Sequence, residues 1–486
     1  MRVPRPRRPG RCRRRGATGG DPVVVTGDSG GPVVDLRRPR RVHVVGVGGA
    51  GMSAIATVLV AMGHRVTGSD LKWSAALDRL RASGVEVHLG HDASHVGDAE
   101  IVTFSTAVPA SNPELAEARR LGLAVLSRAE TLAAVCACRR CAAVAGTHGK
   151  TTTTAMLSLI LVEARLRPSF LIGGDVNEIG TNAVWDTGDW LVVEADESDG
   201  TFLHLAPDLS VLTNVEADHL DHYGGMEALV SAFDRFCTGR SVGVVAGADD
   251  AGAAEIGRRH GAVLVGSSEG ADFRVEDVRN GPEGVSFRLV GADGAIGTLA
   301  LPVTGAKTAQ NAAMAAVAAM VLGVPFDAAA RALARFGGVA RRYQARGERD
   351  GVRFVDDYAH LPTEVAAVIE AARGEQRRLV VVFQPHRYTR VAALAEQFAD
   401  AFVGADAVLV TDVFAAGEAP IPGVSGQLVA DAVVRVHAGA DVRYVARRSE
   451  LREELGRLLR PGDLCLTLGA GDLTSLPDEM LDAVSW

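Results

Sequence analysis

The chain of 486 residues is long enough to form about three domains. A formal net charge of -8 argues against a general nucleic-acid-binding protein, and no apolar run reaches the roughly 18 residues that would span a bilayer. Six cysteines in so long a chain do not suggest a disulfide framework, so we expect a reducing cytoplasm as its location. The hydrophobic content of 47% and the 55 glycines are typical of an α/β protein with a large core.

The segment 1–40 differs in composition from the rest of the chain. It is rich in Arg, Pro and Gly, has no sustained hydrophobic periodicity and lacks the apolar core of a signal peptide. We therefore expect a disordered basic extension. A tail that binds nucleic acid or a membrane surface is an open alternative, although a dispensable extension is the simpler interpretation.

The first folded segment has the pattern of a βαβ nucleotide-binding fold. A short apolar strand at 42–45 runs into the glycine cluster 46–51, a helix follows, and a second strand ends in Asp70. An acidic residue at that point typically contacts a ribose or a base. A later strand ends in Ser105 and Thr106. The glycine cluster alone is a weak signal, because such turns occur both in NAD-dependent dehydrogenases and in proteins that bind UDP-sugars.

The segment 146–152, Gly-Thr-His-Gly-Lys-Thr-Thr, lies between a buried apolar strand and a helical run. Its glycines let backbone N–H groups approach a polyphosphate, and the helix N-terminus adds partial positive charge. Lys150 supplies a full charge, and the Thr151 hydroxyl is placed to bind Mg²⁺. The spacing departs from G-x-x-x-x-G-K-[ST]. Nevertheless, Lys72, Lys150 and Lys307 are the only lysines among 51 basic residues, so a lysine here indicates a need for a compact ammonium group.

Two acidic runs follow predicted strands of the same region. The run 194–199 follows a strand at 190–193, and the run 214–223 follows a strand at 209–213. Carboxylates at the carboxyl ends of parallel strands beside a phosphate loop are the expected second half of a Mg²⁺–nucleotide site. A solvated acidic loop would explain either run alone, but it is a poor explanation for both.

Three cysteines, Cys136, Cys138 and Cys141, have the close spacing of metal ligands. An obvious fourth ligand is missing, and Cys141 begins a predicted buried strand. We therefore favour buried or unused thiols over a zinc or iron–sulfur site.

The C-terminal part of the chain repeats a pattern in which polar residues follow a buried strand. The polar segments are 356–364, 384–390, 412–418 and 469–472. A doubly wound sheet with a site along one edge requires this pattern. After the extension at 1–40, we thus predict three α/β domains at 41–126, 127–337 and 338–486.

The segments 146–154, 194–199 and 214–221 together resemble the Mur ligase family, and the resemblance covers nearly everything from His43 onward. It implies a Rossmann-like N-terminal domain, a central ATPase domain of the P-loop type with a mostly parallel sheet, and a Rossmann-like C-terminal domain. It also implies that the glycine cluster binds a UDP-sugar and not NAD. The UDP-sugar contacts implied in this way are Gly48, Gly49, Ala50, Gly51, Met52, Ser53, Asp70, Ser105 and Thr106.

The resemblance also assigns roles around the phosphate loop. Lys150 would contact the β- and γ-phosphates, while Thr151 and Glu194 would hold one Mg²⁺. His219 would ligate a second Mg²⁺ near the reacting carboxylate, so Lys150, Glu194 and His219 are the candidate catalytic residues. Some relatives bridge the metals with a carbamylated lysine, but no lysine lies between Lys150 and Lys307. The nucleotide-binding residues implied are Gly146, Thr147, His148, Gly149, Lys150, Thr151, Thr152, Asn311, Arg341, Arg342, Asp356 and Asp357.

The chain departs from the family pattern in two places. Lys307 and Thr308 replace the His-Asn pair of a G-x-H-N-x-x-N-A segment near the adenine, and Leu361 replaces the second histidine of a His-His-Pro-Thr-Glu segment. The incoming amino acid is assigned to an Arg- and His-rich group, because arginine can bind a carboxylate with two parallel hydrogen bonds. An ordinary surface charge cluster is the alternative for most of that group. Its members are His360, His386, Arg387 and Arg390.

Together these assignments imply an ATP- and Mg²⁺-dependent ligase of peptidoglycan synthesis. It would join L-alanine to the lactyl carboxylate of UDP-N-acetylmuramate through an acyl phosphate. We expect those two small molecules as its partners, no nucleic acid, no membrane insertion, and a monomer or weak homodimer in the cytoplasm. Three alternatives stay open: a ligase that attaches a recycled tripeptide to the same UDP-sugar, a non-catalytic nucleotide-binding regulator, and a NAD-dependent enzyme.

Overall fold

The computed structural model of the chain describes residues 34–177, 179–281, 283–416, 418–436 and 441–482. Most of the extension predicted at 1–40 therefore lies outside the described residues. Leu36 is described, is only 3% exposed and packs in the core of the first domain. The packed part of the chain thus includes a residue that composition alone assigns to the extension.

The first domain is a parallel sheet of five strands with helices around it. Its elements are β1 (Arg41–Val45), α1 (Ala50–Ala61), β2 (Arg65–Asp70), α2 (Ala75–Ala82), β3 (Glu86–Leu89), β4 (Ile101–Phe104), α3 (Pro113–Arg120) and β5 (Ala124–Ser127). The strand order is β3-β2-β1-β4-β5, so the chain changes direction across the sheet between β1 and β4. The loops after these two strands open a crevice at the carboxyl edge, which is where such sheets bind ligands.

The central domain contains a sheet of ten strands. Its helices are α4 (Arg128–Cys136), α5 (Lys150–Glu163), α6 (Leu220–Tyr223), α7 (Met226–Cys237), α8 (Ala251–Arg259), α9 (Ala306–Val321) and α10 (Phe326–Leu333). Its strands are β6 (Arg140–Ala145), β7 (Ser169–Val176), β8 (Thr181–Val184), β9 (Trp190–Glu194), β10 (Leu209–Leu212), β11 (Gly243–Gly247), β12 (Val263–Gly266), β13 (Phe273–Gly281), β14 (Gly284–Gly291) and β15 (Gly294–Leu301).

The strand order of this sheet, β15-β14-β13-β12-β11-β10-β6-β9-β7-β8, places β6 between β9 and β10. All three strands are parallel, so the segments that follow them meet at one edge. The sheet is antiparallel only where β8 pairs with β7 and where β14 and β15 continue from β13. Buried alanines at 312, 313, 315 and 316 let α9 lie close to α5, which brings Asn311 to the same edge.

The third domain has a six-stranded sheet. Its elements are β16 (Gln344–Arg349), β17 (Val352–Asp357), α11 (Pro362–Arg373), β18 (Arg378–Phe383), α12 (Tyr388–Leu394), β19 (Ala407–Thr411), α13 (Gly426–Val436), β20 (Asp441–Val445), α14 (Leu451–Leu458), β21 (Asp463–Leu468) and α15 (Leu476–Leu481). The order is β16-β17-β21-β18-β19-β20, and every pair is parallel except β16 with β17.

The predicted α/β class, with three domains and a mostly parallel central sheet, is confirmed. Cys136 and Cys141 pack in the hydrophobic core that the first two domains share. Within the described ranges, no helix combines the length and the apolar character that crossing a membrane requires.

Candidate active site

The phosphate loop, residues 146–149, connects β6 to α5. Two of its glycines have left-handed backbone angles, with φ of 134° at Gly146 and 81° at Gly149. A Cβ at Gly149 would lie 2.5 Å from Asn311 Oδ1, and one at Gly146 would overlap the hydroxyl of Thr213. Both positions therefore need glycine, for conformation as well as for space. The turn leaves the N-terminus of α5 open to an anion such as a polyphosphate.

Side chains that follow β10 hold this loop in place. Asn214 accepts a hydrogen bond from the backbone N–H of His148 at 2.8 Å and donates one to its carbonyl at 3.0 Å. Thr213 donates to the same carbonyl at 2.6 Å. The hydroxyl of Thr147 accepts from the backbone N–H of Glu216 at 2.9 Å. The neighbouring strand thus preorganises the loop, a role of Thr213 and Asn214 that the sequence pattern does not indicate.

Lys150 begins α5, and its ammonium group lies over the loop. Nζ donates to Gly146 O at 2.7 Å and to Thr147 O at 3.0 Å, and it pairs with Glu197 Oε1 at 2.7 Å. Burial raises the pKa of Glu197, which is 2% exposed, to about 7, although the charge of Lys150 opposes this rise. Burial alone would lower the pKa of Lys150, but the carboxylates of Glu197 and Asp196 raise it overall. Lys150 therefore remains charged where a polyphosphate would meet the loop.

Thr151 and Glu194 lie side by side at the start of α5 and the end of β9. Thr151 Oγ1 donates to Glu194 Oε1 at 2.9 Å, and Glu194 Oε2 accepts from Gly173 N at 2.7 Å. Paired oxygen ligands of this kind are those that Mg²⁺ prefers. Within the part of the chain that is described, no cluster of three or more His, Cys, Asp or Glu side chains forms a metal cage. Phosphate oxygens and water would have to complete the coordination here.

His219, the predicted second metal ligand, lies just before α6. Its backbone is left-handed, with φ of 52°, and its Nε2 lies 3.2 Å from Asp218 Oδ2. Burial lowers the pKa of His219, and the charges of Arg390 and Lys150 act in the same direction. His219 is thus close to the charged groups of the loop and of the third domain, and its role as a metal ligand stays a prediction.

Helix α9 carries Asn311 and the first of the two departures from the family pattern, Lys307 and Thr308. Asn311 lies beside Gly149, close enough that a side chain at that glycine would collide with it. Thr308 instead donates its hydroxyl to Thr304 O, just before the helix, at 2.9 Å. Lys307 is exposed. The hydrogen bond from His148 is the main cause that holds the pKa of Glu216 low, and the charge of Lys307 adds to it. Lys307 therefore acts at the edge of the loop, while the Thr308 hydroxyl is bonded to the segment just before α9.

The two neighbouring arginines ahead of β16 point to different places. Arg341 donates to Gly469 O at 2.6 Å and to Gly471 O at 3.3 Å, so it ties the start of β16 to the loop after β21. Arg342 Nη2 lies 3.4 Å from Thr151 Oγ1. Both guanidinium groups lie over the ring of Tyr358, at 4.9 and 5.2 Å. Of these two predicted nucleotide-binding residues, Arg342 is the one that reaches the first turn of α5, next to the phosphate loop.

Asp356 and Asp357, two of the predicted nucleotide-binding residues, are buried and accept hydrogen bonds from groups within the third domain. Asp356 accepts from the hydroxyls of Thr467 and Thr474 at 2.8 and 2.7 Å. Asp357 accepts from the backbone N–H groups of Tyr343 and Ala359 at 2.6 and 2.7 Å. Burial raises the pKa of both carboxyl groups, to about 6 for Asp357. Asp357 thus shapes the loop after β17, whereas Asp356 links β17 to β21 and the segment after it. Contact of either residue with the nucleotide stays a prediction.

The residues assigned to the incoming amino acid lie together at the carboxyl edge of the third sheet. The rings of His360 and His386 meet edge to face at 5.5 Å, and His386 stacks on Phe414 at 5.8 Å. Arg390 Nη1 lies 3.3 Å from His386 Nδ1. Burial lowers the pKa of His386 to about 3, helped by the nearby cationic groups. Arg387, exposed and with φ of 68°, precedes α12. Two arginines beside neutral histidines suit a carboxylate ligand.

The predicted UDP-sugar residues surround the crevice between β1 and β4. Asp70 Oδ2 accepts from Gly48 N at 2.8 Å, and a Cβ at Gly46 would lie 3.1 Å from the Cβ of Ser105. Ser53 donates to Ala50 O at 3.0 Å, inside α1. The exposed members of the set are Gly49, Ala50, Gly51 and Thr106. Met52, in contrast, is 2% exposed and packs in the core, so its side chain supports the loop from behind.

Arg128, which the sequence does not single out, connects this crevice to the central domain. A Cβ at Gly51 would lie 3.4 Å from its Nη1. Its Nη2 donates to Asp199 Oδ2 at 2.8 Å and lies 3.5 Å from Asp196 Oδ2. An arginine in the first turn of a capped helix looks ordinary in a sequence, so only the fold reveals this link.

Three family models match the chain in order. They are described as "Mur ligase family, catalytic domain" at residues 41–140, "Mur ligase middle domain" at 144–319, and "Mur ligase, glutamate ligase domain" at 341–471.

Individual proteins match over nearly their whole length. The chain is 46% identical over 447 residues to the UDP-N-acetylmuramate–L-alanine ligase of Rubrobacter xylanophilus, covering 91% of this chain and 99% of that protein. It is 47% identical over 462 residues to the enzyme of the same name from Saccharopolyspora erythraea, covering 91% and 93%. The crystal structure of the UDP-N-acetylmuramate–alanine ligase of Thermotoga maritima has a TM-score of 0.79 at 27% identity, covering 91% of this chain and 98% of that one. The chain belongs to the Mur ligase family.

Proposed function

We propose that the chain catalyses the ATP-dependent ligation of L-alanine to the lactyl carboxylate of UDP-N-acetylmuramate. The products are UDP-N-acetylmuramoyl-L-alanine, ADP and phosphate, and the reaction is a cytoplasmic step of peptidoglycan synthesis. The observation that carries the proposal is the phosphate loop with Lys150, flanked by Thr151 and Glu194, in a chain that matches L-alanine ligases over their whole length. We further propose that the enzyme acts as a monomer or weak homodimer.

The three domains suit one substrate each. The crevice after β1 and β4 holds the UDP-sugar, the phosphate loop holds ATP, and the edge with His386, Arg387 and Arg390 holds L-alanine. The lactyl carboxylate attacks the γ-phosphate, which gives an acyl phosphate and ADP. The amine of L-alanine then attacks the acyl carbon, and phosphate leaves. Closure of the three domains would exclude water, which would otherwise hydrolyse the acyl phosphate.

Residues of this chain supply the positive charge that the first step requires. A carboxylate and a polyphosphate are both anionic, so cations must offset their repulsion. Lys150 supplies one, and Arg342 supplies another from the third domain. Thr151 and Glu194 are suited to hold Mg²⁺, which when bound would neutralise phosphate charge. We propose His219 as a further metal ligand beside the reacting carboxylate.

Phosphate release from the purified protein tests this proposal. The reactions contain ATP, Mg²⁺ and UDP-N-acetylmuramate, with either L-alanine or the L-Ala–D-Glu–diamino-acid tripeptide as the acceptor. We expect release that requires L-alanine and is lost in Lys150→Ala. Release with the tripeptide alone would move the chain to the recycling branch. Nucleotide binding without turnover would favour a non-catalytic regulator.

A further inference from the structure

The imidazole of His148 lies between carboxylates from two domains. Its Nε2 is 3.2 Å from Glu216 Oε2 in the central domain, and its Nδ1 is 3.4 Å from Glu364 Oε1 at the start of α11 in the third domain. Thr363 Oγ1 lies 3.4 Å from the same Nε2. The side chains of His148 and Glu364 are only 21% and 16% exposed. The phosphate loop thus contacts the third domain through a partly buried His–Glu pair.

The charges around this pair favour an imidazolium ion. Burial alone would lower the pKa of His148, but Glu216 and Glu364 raise it to about 9. Burial opposes ionisation of Glu364 as well, yet the neighbouring His360, the hydrogen bond from His148 and the charge of Arg342 keep its pKa well below the usual value. At neutral pH the contact is therefore an ion pair between two domains, with its atoms 3.4 Å apart and largely shielded from water.

The other carboxylate oxygen of Glu364, Oε2, contacts residues of its own domain. Glu364 Oε2 accepts from the backbone N–H groups of His360 and Leu361 at 3.0 and 3.2 Å, and it lies 3.5 Å from His360 Nδ1. The ring of His360 contacts His386, which in turn neighbours Arg390. One carboxylate therefore fixes the phosphate loop at one oxygen and the amino-acid-binding side chains at the other.

We propose that Glu364 is a positioning residue that sets the distance between the phosphate loop and the amino-acid-binding group, acting through His148. This proposal rests on the proposed function, because it takes the edge with His386 and Arg390 as the L-alanine site. The reaction requires that the two groups be held at a fixed distance. The amine must meet an acyl carbon that is attached to the transferred phosphate, and small misplacements of reacting groups cost large factors in rate.

Glu364→Gln tests the proposal with little disturbance of the fold. A glutamine oxygen can still accept from His360 N and Leu361 N, so the cap of α11 is retained, while the charge toward His148 is lost. Glu370→Gln, an exposed change on the same helix, is the matched control. We expect kcat with L-alanine to fall about 10-fold in Glu364→Gln and to stay unchanged in the control. In a double-mutant cycle with His148→Asn, the two effects should not add.

A second readout does not depend on turnover. NMR titration of the His148 ring should show a pKa at least about one unit lower in Glu364→Gln than in the wild type, because one of its two carboxylates has lost its charge. This readout stays valid even if L-alanine proves not to be the acceptor. Failure of the proposed function can therefore be told apart from failure of the proposal about Glu364. A wild-type kcat in Glu364→Gln, an equal fall in the Glu370→Gln control, or an unchanged His148 pKa would each overturn the proposal.

Discussion

Replacement of Lys150 by alanine should make the central domain lose stability as the pH rises above 7, relative to the wild type. Lys150 Nζ lies 2.7 Å from Glu197 Oε1, while Glu197 Oε2 has no hydrogen-bond partner among the described residues. The carboxyl group is 2% exposed, and burial raises its pKa from the usual 4.5 to about 7 even with the ammonium group present. Without that cation the pKa must rise further, because the charge of Lys150 is the largest influence that lowers it.

The sign and size follow from proton linkage. A raised pKa means that the folded state keeps a proton that the unfolded state has lost, so stability falls with rising pH between the two pKa values by about 1.4 kcal/mol per unit. In the wild type this fall ends near pH 7, where Glu197 ionises in the folded state. In Lys150→Ala the stability continues to fall at higher pH, until Glu197 ionises in the folded state of the variant. If the pKa rises by about two units, the variant loses roughly 2 kcal/mol more at pH 9 than at pH 6, relative to the wild type.

Hydrogen exchange of the β6 and α5 amides measures this difference locally, without assuming that the three domains unfold together. The opening free energies of wild type and variant are compared at pH 6 and pH 9, without nucleotide. The double variant Lys150→Ala/Glu197→Gln is the control, because it has no carboxyl group to titrate and should lack the extra loss. An equal destabilisation of Lys150→Ala at both pH values would refute the reasoning.

Three other substitutions test separate parts of the site. Gly149→Ala should weaken nucleotide binding at least about 10-fold in a fluorescence titration, because it strains a left-handed residue and crowds Asn311; unchanged affinity would contradict this account of the loop. Glu194→Gln should raise the Mg²⁺ concentration for half-maximal rate about 10- to 100-fold without changing the KM for L-alanine, since it neutralises the oxygen beside Thr151. Arg390→Ala should raise the KM for L-alanine about 10- to 100-fold and leave that for ATP alone, and the reverse pattern would assign Arg390 to the nucleotide.

The sequence predicts the edges at which the site forms, because polar residues follow buried strands in all three domains. It does not predict which strands are neighbours. Glu194 and Asn214 follow strands that come later in the chain than β6, and only the inserted position of β6 between β9 and β10 brings both to the phosphate loop. Parallel strands order themselves by packing and crossover geometry, so the pattern along the chain leaves this open.

The sequence also does not show which residue in a run of similar residues makes which contact. The run 194–199 contains four carboxylates, and burial alone distinguishes Glu197 as the partner of Lys150. Arg341 and Arg342 are adjacent and chemically identical, yet one contacts Gly469 and the other Thr151. These distinctions depend on backbone direction and on residues far away in the chain, neither of which a local pattern contains.

The central claim is that the lactyl carboxylate is activated as an acyl phosphate and then joined to L-alanine. The most direct measurement uses UDP-N-acetylmuramate labelled with ¹⁸O in that carboxylate, together with ATP, Mg²⁺ and L-alanine, and determines the isotope content of the released phosphate by mass spectrometry. Because the C–O bond to the phosphoryl group breaks when the amine attacks, we expect one labelled oxygen in each phosphate and an equal amount of UDP-N-acetylmuramoyl-L-alanine. Phosphate released without label would contradict the account.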